Sequence, residues 1–204
     1  MYNQSVLKNF PTHKIIGEEF NKDAVQKKDL VWIIDPIDGT TNYIQGLPLA
    51  CISLALWDKN GPLVAALFNP ISRQLFTAER GKGAKLNSRP IFVSKEHRLS
   101  RALGGVGWLR VEKGIGLFSL MAKNCRKLRI LATSALQISL VGSGNYDFYV
   151  ATDINIWDFA ASVLIATEAG GRITDETGKK INLQTRNIVA SNGKLHQQIL
   201  DVIK

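Results

Sequence analysis

Residues 31–42, Val-Trp-Ile-Ile-Asp-Pro-Ile-Asp-Gly-Thr-Thr-Asn, constrain the fold of this chain more than any other stretch. A short apolar run ends in two carboxylates, Asp35 and Asp38, with a proline between them. The run reads as a buried strand. Asp35 then lies at the strand's carboxyl end, where α/β sheets bind ligands. Pro36 fixes its own φ and biases Asp35 toward an extended backbone, which stiffens the spacing of the two acids. Gly39 has no Cβ, so the backbone there can approach a ligand closely. The amides of Gly39, Thr40 and Thr41 offer a nest or helix N-terminus to an anion. Carboxylates for a hard cation beside amides for a phosphate point to metal-assisted phosphoryl chemistry. The two aspartates alone fit a structural turn equally well, because Asp-Pro and Asp-Gly are turn dipeptides.

Two further segments bear on that choice. Upstream runs Ile15-Ile16-Gly17-Glu18-Glu19-Phe20, where adjacent glutamates on their own would mean a solvated loop. Downstream runs Trp157-Asp158-Phe159-Ala160-Ala161, continuing to Thr167-Glu168-Ala169-Gly170-Gly171. Composition favours a helix from Asp158 to Ala169 with the two glycines as its stop. Asp158 falls at the helix start, where a carboxylate suits the dipole and could equally be an N-cap. Ala160 and Ala161 would let that helix lie close on a sheet.

In this order and spacing, the three segments resemble the signature of the inositol monophosphatase family, within the superfamily that includes fructose-1,6-bisphosphatases. The resemblance implies an α+β fold of layered αβαβα type, an antiparallel-sheet lobe at about 1–95 followed by a smaller α/β lobe at about 96–204, with a metal site between them. It implies two or three Mg²⁺ ions. One would be held by Glu18, Asp35 and the Ile37 carbonyl, and a second by Asp35, Asp38 and Asp158. Glu18 and Thr40 would orient an attacking water, with Asp38 also among the catalytic groups. The amides around Gly39, Thr40 and Thr41 would hold phosphate oxygens, and Ala132, Thr133 and Asp158 would contact the substrate. The implied activity is hydrolysis of inositol monophosphate or related sugar and polyol phosphates. Fructose-1,6-bisphosphatase and nucleotide 3′-phosphatase activities are the alternatives within the superfamily. Thr41-Asn42 after Gly39-Thr40 resembles the inositol branch, since nucleotide phosphatases tend to carry Lys-Glu there. A non-catalytic member binding nucleic acid or protein is the alternative of another class.

The match is weaker where the substrate's alcohol would sit. Arg129-Ile130-Leu131-Ala132-Thr133-Ser134-Ala135-Leu136 resembles the family's Arg-x-x-Gly-Ser/Thr-Ala-Ala-Leu, with Ala132 in place of the usual glycine. Inositol-specific members place a glutamate at the position matching Ala151, which cannot bond a hydroxyl. The resemblance therefore implies intact phosphatase chemistry and a relaxed preference for inositol. Members also carry two long helices and a mobile loop ahead of the position matching Met1, so a shortened front and an uncovered apolar face around Val6, Leu7 and Phe10 are expected.

Elsewhere the chain reads as a meander of strands at 50–57, 62–68 and 74–78, with a short piece at 85–87. After a polar boundary at 94–100 come strands at 102–106, 128–131 and 146–151, helices at 115–123 and 133–141, strands near 172–174 and 187–190, and a last helix from Lys194. Composition, with 45% apolar residues over 204, fits one sizeable globular core. No apolar run reaches the length of a membrane span, and no signal segment opens the chain, so a cytoplasmic protein is expected. Cys51 and Cys125 form no metal or disulfide pattern and read as reduced core residues. His13, His97 and His196 sit in no ligand spacing and read as surface or loop residues. The net charge of +9 favours anionic partners. Its short, separate clusters lack the aromatic interleaving of a single-strand binder, so a phosphorylated small molecule is the expected partner ahead of nucleic acid. A homodimer is compatible with this reading.

Overall fold

The apolar run at 31–34 opens strand β2 (Val31–Asp38), which lies one place in from an end of the site-bearing sheet in the computed structural model. The structure describes residues 2–19, 29–107 and 112–204. Phe20, the last residue of the upstream segment, lies outside them. Val31, Ile33, Ile34 and Asp35 of β2 are buried, as a strand covered on both faces requires. A strand absent from the sequence reading, β1 (Lys14–Gly17), pairs parallel with β2, Ile16 opposite Ile33 and Gly17 opposite Ile34. This register sets Glu18, one residue past β1, beside Asp35. At four residues β1 is too short for a periodic signal, and its partner supplies its stability.

From β2 the sheet continues antiparallel through β3 (Cys51–Asp58), β4 (Gly61–Asn69), β5 (Gln74–Glu79), β6 (Ala84–Leu86) and β7 (Arg89–Pro90), in spatial order β1 to β7. The β3–β4 turn is braced by Arg80, whose guanidinium bonds both oxygens of Asp58 at 2.8 and 3.0 Å. A second sheet takes the order β11-β12-β10-β8-β9. It comprises β8 (Leu103–Val106), β9 (Lys127–Arg129), β10 (Phe148–Ala151), β11 (Arg172–Thr174) and β12 (Ile188–Ser191). β8 runs parallel to both β9 and β10, and β12 antiparallel to β10 and β11.

Helices fix the layering. A short α1 (Tyr2–Asn9) precedes β1, and α2 (Thr40–Ile44) follows β2. Between the sheets lie α4 (Ser134–Gly142) and α5 (Ala160–Glu168), whose Ile138, Val141, Leu164 and Ile165 join Ala55, Leu67 and Phe76 of the first sheet and Tyr149 and Ala190 of the second in one core. Beyond the second sheet, α3 (Glu112–Asn124) and α6 (His196–Ile203) cover Phe148, Val150 and Val189 with Leu117, Met121, Ile199 and Leu200. Sheet, helix pair, sheet and helix pair follow one another, the layered α+β arrangement expected. Gly104 makes one of these contacts possible: an added Cβ would lie 2.3 Å from the Phe148 ring.

The outer face of the first sheet is apolar and open to solvent. Phe68 and Leu75 pair across β4 and β5 there, 37% and 40% exposed, and Leu7 of α1 and Phe10 just past its end are similarly exposed.

Two expectations are corrected. Asp158 does not begin an α-helix. It closes a 3₁₀ turn (Ile156–Asp158) in which its Oδ2 accepts from Asn155 N at 2.7 Å, and α5 starts two residues later. His196 is no surface residue. It is fully buried at the start of α6, with its ring nitrogens bonded to Ser191 Oγ at 2.9 Å and Thr174 Oγ1 at 2.8 Å. Burial pushes its pKa down to about 4, so the ring is neutral and serves as a buried hydrogen-bonding link between β11, β12 and α6. His13 accepts from Trp32 Nε1 at 3.0 Å, and His97 is exposed.

Candidate active site

The carboxyl end of β2 departs from regular pairing between Asp35 and Asp38, where the register against β3 shifts. Pro36 has no N–H to give the ladder, and Asp35 Oδ1 accepts from Ile37 N at 3.0 Å instead. Gly39 follows in the left-handed region, φ 85°, where an added Cβ would meet Leu49 O at 2.6 Å. A glycine is therefore required, and the chain turns directly into α2. Thr40 Oγ1 donates to Ile37 O at 2.8 Å, so the hydroxyl and the carbonyl singled out from the sequence are adjacent. The first amides of α2, Thr40 and Thr41 among them, have no carbonyl within the helix to bond.

Asn42 was quoted in the motif without a role. It is buried, and its Nδ2 donates to Leu49 O at 2.9 Å and Leu131 O at 2.6 Å. The loop after β2 is thereby tied to the loop before α4. Across this junction Asp38, 7% exposed, binds the start of α4. Its Oδ2 accepts from Ala135 N at 3.0 Å and from the Thr133 hydroxyl, and its Oδ1 accepts from Ser134 N at 3.2 Å. A carboxylate there bonds amides that the helix leaves unpaired and complements its dipole. Cys51, read from the sequence as a reduced core residue, is buried and directs its thiol at Asp38 Oδ2 from 3.5 Å, and burial pushes that thiol's pKa up.

The four acids share one electrostatic neighbourhood. Burial chiefly, then the charge of Asp38, pushes Asp35 up to about 8, with Glu18 and Asp158 adding to the effect. Asp158 is pushed up to about 7 by burial first, with Asp38 and Glu18 raising it and Arg186 partly offsetting them. Asp38 is raised by burial against the hydrogen bonds that lower it. None of the four has an ion pair with a lysine or arginine among the described residues. Also among these residues, no three acidic, histidine or cysteine side chains are drawn together tightly enough to hold an ion as they stand. The donor chemistry is nonetheless all oxygen and anionic, the set a hard divalent cation takes.

Of the residues expected at the substrate side, Thr133 is buried with its hydroxyl on Asp38, and its Cβ would lie 3.2 Å from a Cβ at Gly39. Ala132 adopts φ 52°, left-handed, where the resembling motif has glycine. An alanine there is strained, so Ala132→Gly is expected to stabilise the chain by about 0.5–1 kcal/mol and raise Tm by roughly 1–4 °C. A lower Tm in a thermal melt would contradict this reading of the loop. Ala151 is buried at the end of β10, where a Cβ at Gly107 would come within 2.6 Å of its own.

The model of the inositol monophosphatase family matches residues 1–204. The chain belongs to the inositol monophosphatase family. Over 198 residues it is 38% identical to a Thermotoga maritima protein named fructose-1,6-bisphosphatase/inositol-1-monophosphatase, covering 97% of this chain and 76% of that one. The solved structure of a Thermotoga maritima IMPase superposes with a TM-score of 0.90 at 37% identity, over 98% of this chain and 78% of that one. A Pseudomonas aeruginosa protein named Nus factor SuhB is 34% identical over 98% of this chain and 77% of its own length. The relatives named for a phosphatase activity support a phosphatase. Among the described residues, no helix is long and apolar enough to cross a membrane.

Proposed function

We propose that this family member is a Mg²⁺-dependent phosphomonoesterase acting on phosphate esters of sugars and polyols. One observation carries the reading: buried Asp35 and Asp38 and half-buried Asp158 lie within range of one another's charge beside the Gly39 turn, without a lysine or arginine ion pair among the described residues. Burying charged groups unpaired is costly, and a fold retains such a cluster where a cation offsets it. Glu18, Asp35 and the Ile37 carbonyl would hold one ion, and Asp35, Asp38 and Asp158 a second, with Asp35 shared. Such ions lower the pKa of water and neutralise charge on the phosphoryl group and the leaving oxygen. The chain's own groups do the rest. Thr40 spends its proton on Ile37 O, so its oxygen lone pairs accept from an attacking water that Glu18 also orients. The amides at Gly39, Thr40 and Thr41 hold phosphate oxygens. Ala132 and Thr133 form the wall against the alcohol.

Phosphate release from inositol 1-phosphate, glycerol 2-phosphate and fructose 1,6-bisphosphate, with Mg²⁺ and with chelator, tests the reading. Because Ala151 offers no acceptor, kcat/KM for inositol 1-phosphate is expected to be comparable with that for the other esters. A hydrogen bond to a charged group contributes about 1.5–3 kcal/mol, or roughly ten- to a hundredfold. An inositol preference beyond about a hundredfold would therefore contradict the role given to Ala151.

A second reading, a non-catalytic protein that engages nucleic acid or protein, draws on the net charge of +9 and on the relative named as a Nus factor. Absence of turnover across the panel, with Mg²⁺ binding intact, would favour it.

A further inference from the structure

Beside the acids lies a pair of hydroxyls. Ser134 opens α4, is half-buried, and occupies a position that the resembling motif gives to alanine. Its Oγ lies 2.8 Å from Tyr149 Oη on β10. Tyr149 is fully buried, and the charges of Asp38 and Asp158 both act on it, while Ser134 bonds Asp38 directly through its N–H. Burial holds the phenol protonated. Among the described residues its hydrogen-bond partner is Ser134 Oγ.

The direction of that bond follows from what each group loses. If Ser134 donated, the phenolic proton would be buried without an acceptor, at about 1–3 kcal/mol. Tyr149 therefore donates and Ser134 accepts, which leaves the serine's own proton to donate elsewhere. Its backbone N–H is already used by Asp38. Because Ser134 is the partly exposed member of the pair, its remaining proton is available to the open side, next to exposed Ala132. Ala151, at the end of the same strand as Tyr149, offers no acceptor.

Resting on the phosphatase function proposed above, we infer that Ser134 is a specificity-determining donor, positioned by Tyr149. It selects phosphate esters whose alcohol carries an acceptor oxygen, such as a ring ether or a carbonyl, close to the ester. An acceptor-rich sugar phosphate satisfies this donor, whereas a purely apolar alcohol leaves it unpaired.

Two isosteric substrates isolate the effect: tetrahydropyran-2-ylmethyl phosphate and cyclohexylmethyl phosphate, which differ by one ring oxygen. With Mg²⁺, the wild-type chain is expected to favour the pyran ester by roughly two- to tenfold in kcat/KM, expressed mainly in KM. Ser134→Ala brings the ratio to about one, Ser134→Thr keeps the preference, and Tyr149→Phe reduces it part-way because the serine is no longer held. Circular dichroism checks that each variant folds, and Ser134→Thr carries the test where Ser134→Ala does not. Equal rates on the two esters in wild type, or an undiminished ratio in Ser134→Ala, overturn the inference and leave the phosphatase function standing. No hydrolysis of either ester by a Mg²⁺-loaded wild type that still turns over a sugar or polyol phosphate overturns the inference alone, and no turnover of any ester overturns both.

Discussion

Replacing Asp35 with asparagine is expected to cut Mg²⁺-dependent phosphate release by at least about a hundred- to a thousandfold, the range for losing one preorganised charge-stabilising group. Asp35 carries the effect because it is the acid shared between the two proposed ion sites. The change is nearly isosteric, and the amide oxygen can still accept from Ile37 N, so the loop is expected to keep its form. The same substitution is expected to raise the melting temperature of the metal-free chain. An asparagine removes first the cost of burying a carboxylate at this position and then the repulsion from Asp38, Glu18 and Asp158. A gain of about 1–3 kcal/mol corresponds to roughly 2–12 °C for a chain of this size. Loss of activity with gain of metal-free stability is the signature of a functional carboxylate. Loss of both would mark Asp35 as structural.

The second large effect is a dependence of stability on pH that Mg²⁺ removes. Asp35 and Asp158 are raised to about 8 and about 7 in the fold, above their ordinary carboxylate range. The folded state therefore binds their protons more tightly than the unfolded state does. That contribution is fully present below the ordinary range and is lost as pH rises through the folded values. His196 acts in the opposite sense, since its lowered pKa makes its contribution fade as pH falls from about 6.5 toward about 4. Between about pH 6.5 and 8.5 the carboxylates dominate, and the metal-free Tm is expected to fall with rising pH. Mg²⁺ should flatten the slope by stabilising the charged forms, and Asp35→Asn should reduce it without metal. A metal-free Tm that is flat or rises over this window would contradict the placement of these acids together.

Much of this was legible because it lies in contiguous residues. The apolar run at 31–34 followed by Asp-Pro-Ile-Asp-Gly marks both a buried strand and its turn, and the hairpins through β5 have clear apolar runs and turn dipeptides. The four acids were found through three short words in order. What remained hidden depends on pairing across distance. β1 exists by virtue of β2. Asn42 reaches Leu131, and Asp38 reaches the start of α4, each across about ninety residues or more. A histidine outside any motif looks exposed until Ser191 and Thr174 close around it. Ser134 and Tyr149 are separate residues in sequence and one hydrogen-bonded unit in the fold. Asp158 was read as opening an α-helix, because a capped 3₁₀ turn and the start of an α-helix look alike at the level of residue type.

The most direct test of the central claim is phosphate release from the ester panel by the purified wild-type chain, measured with Mg²⁺ and again after chelation, beside Asp35→Asn. The proposed function predicts turnover of at least one sugar or polyol phosphate that disappears with chelator, returns with Mg²⁺, and is lost in the variant. Turnover that persists after chelation or survives in Asp35→Asn, or no turnover of any ester with Mg²⁺ bound, would contradict it.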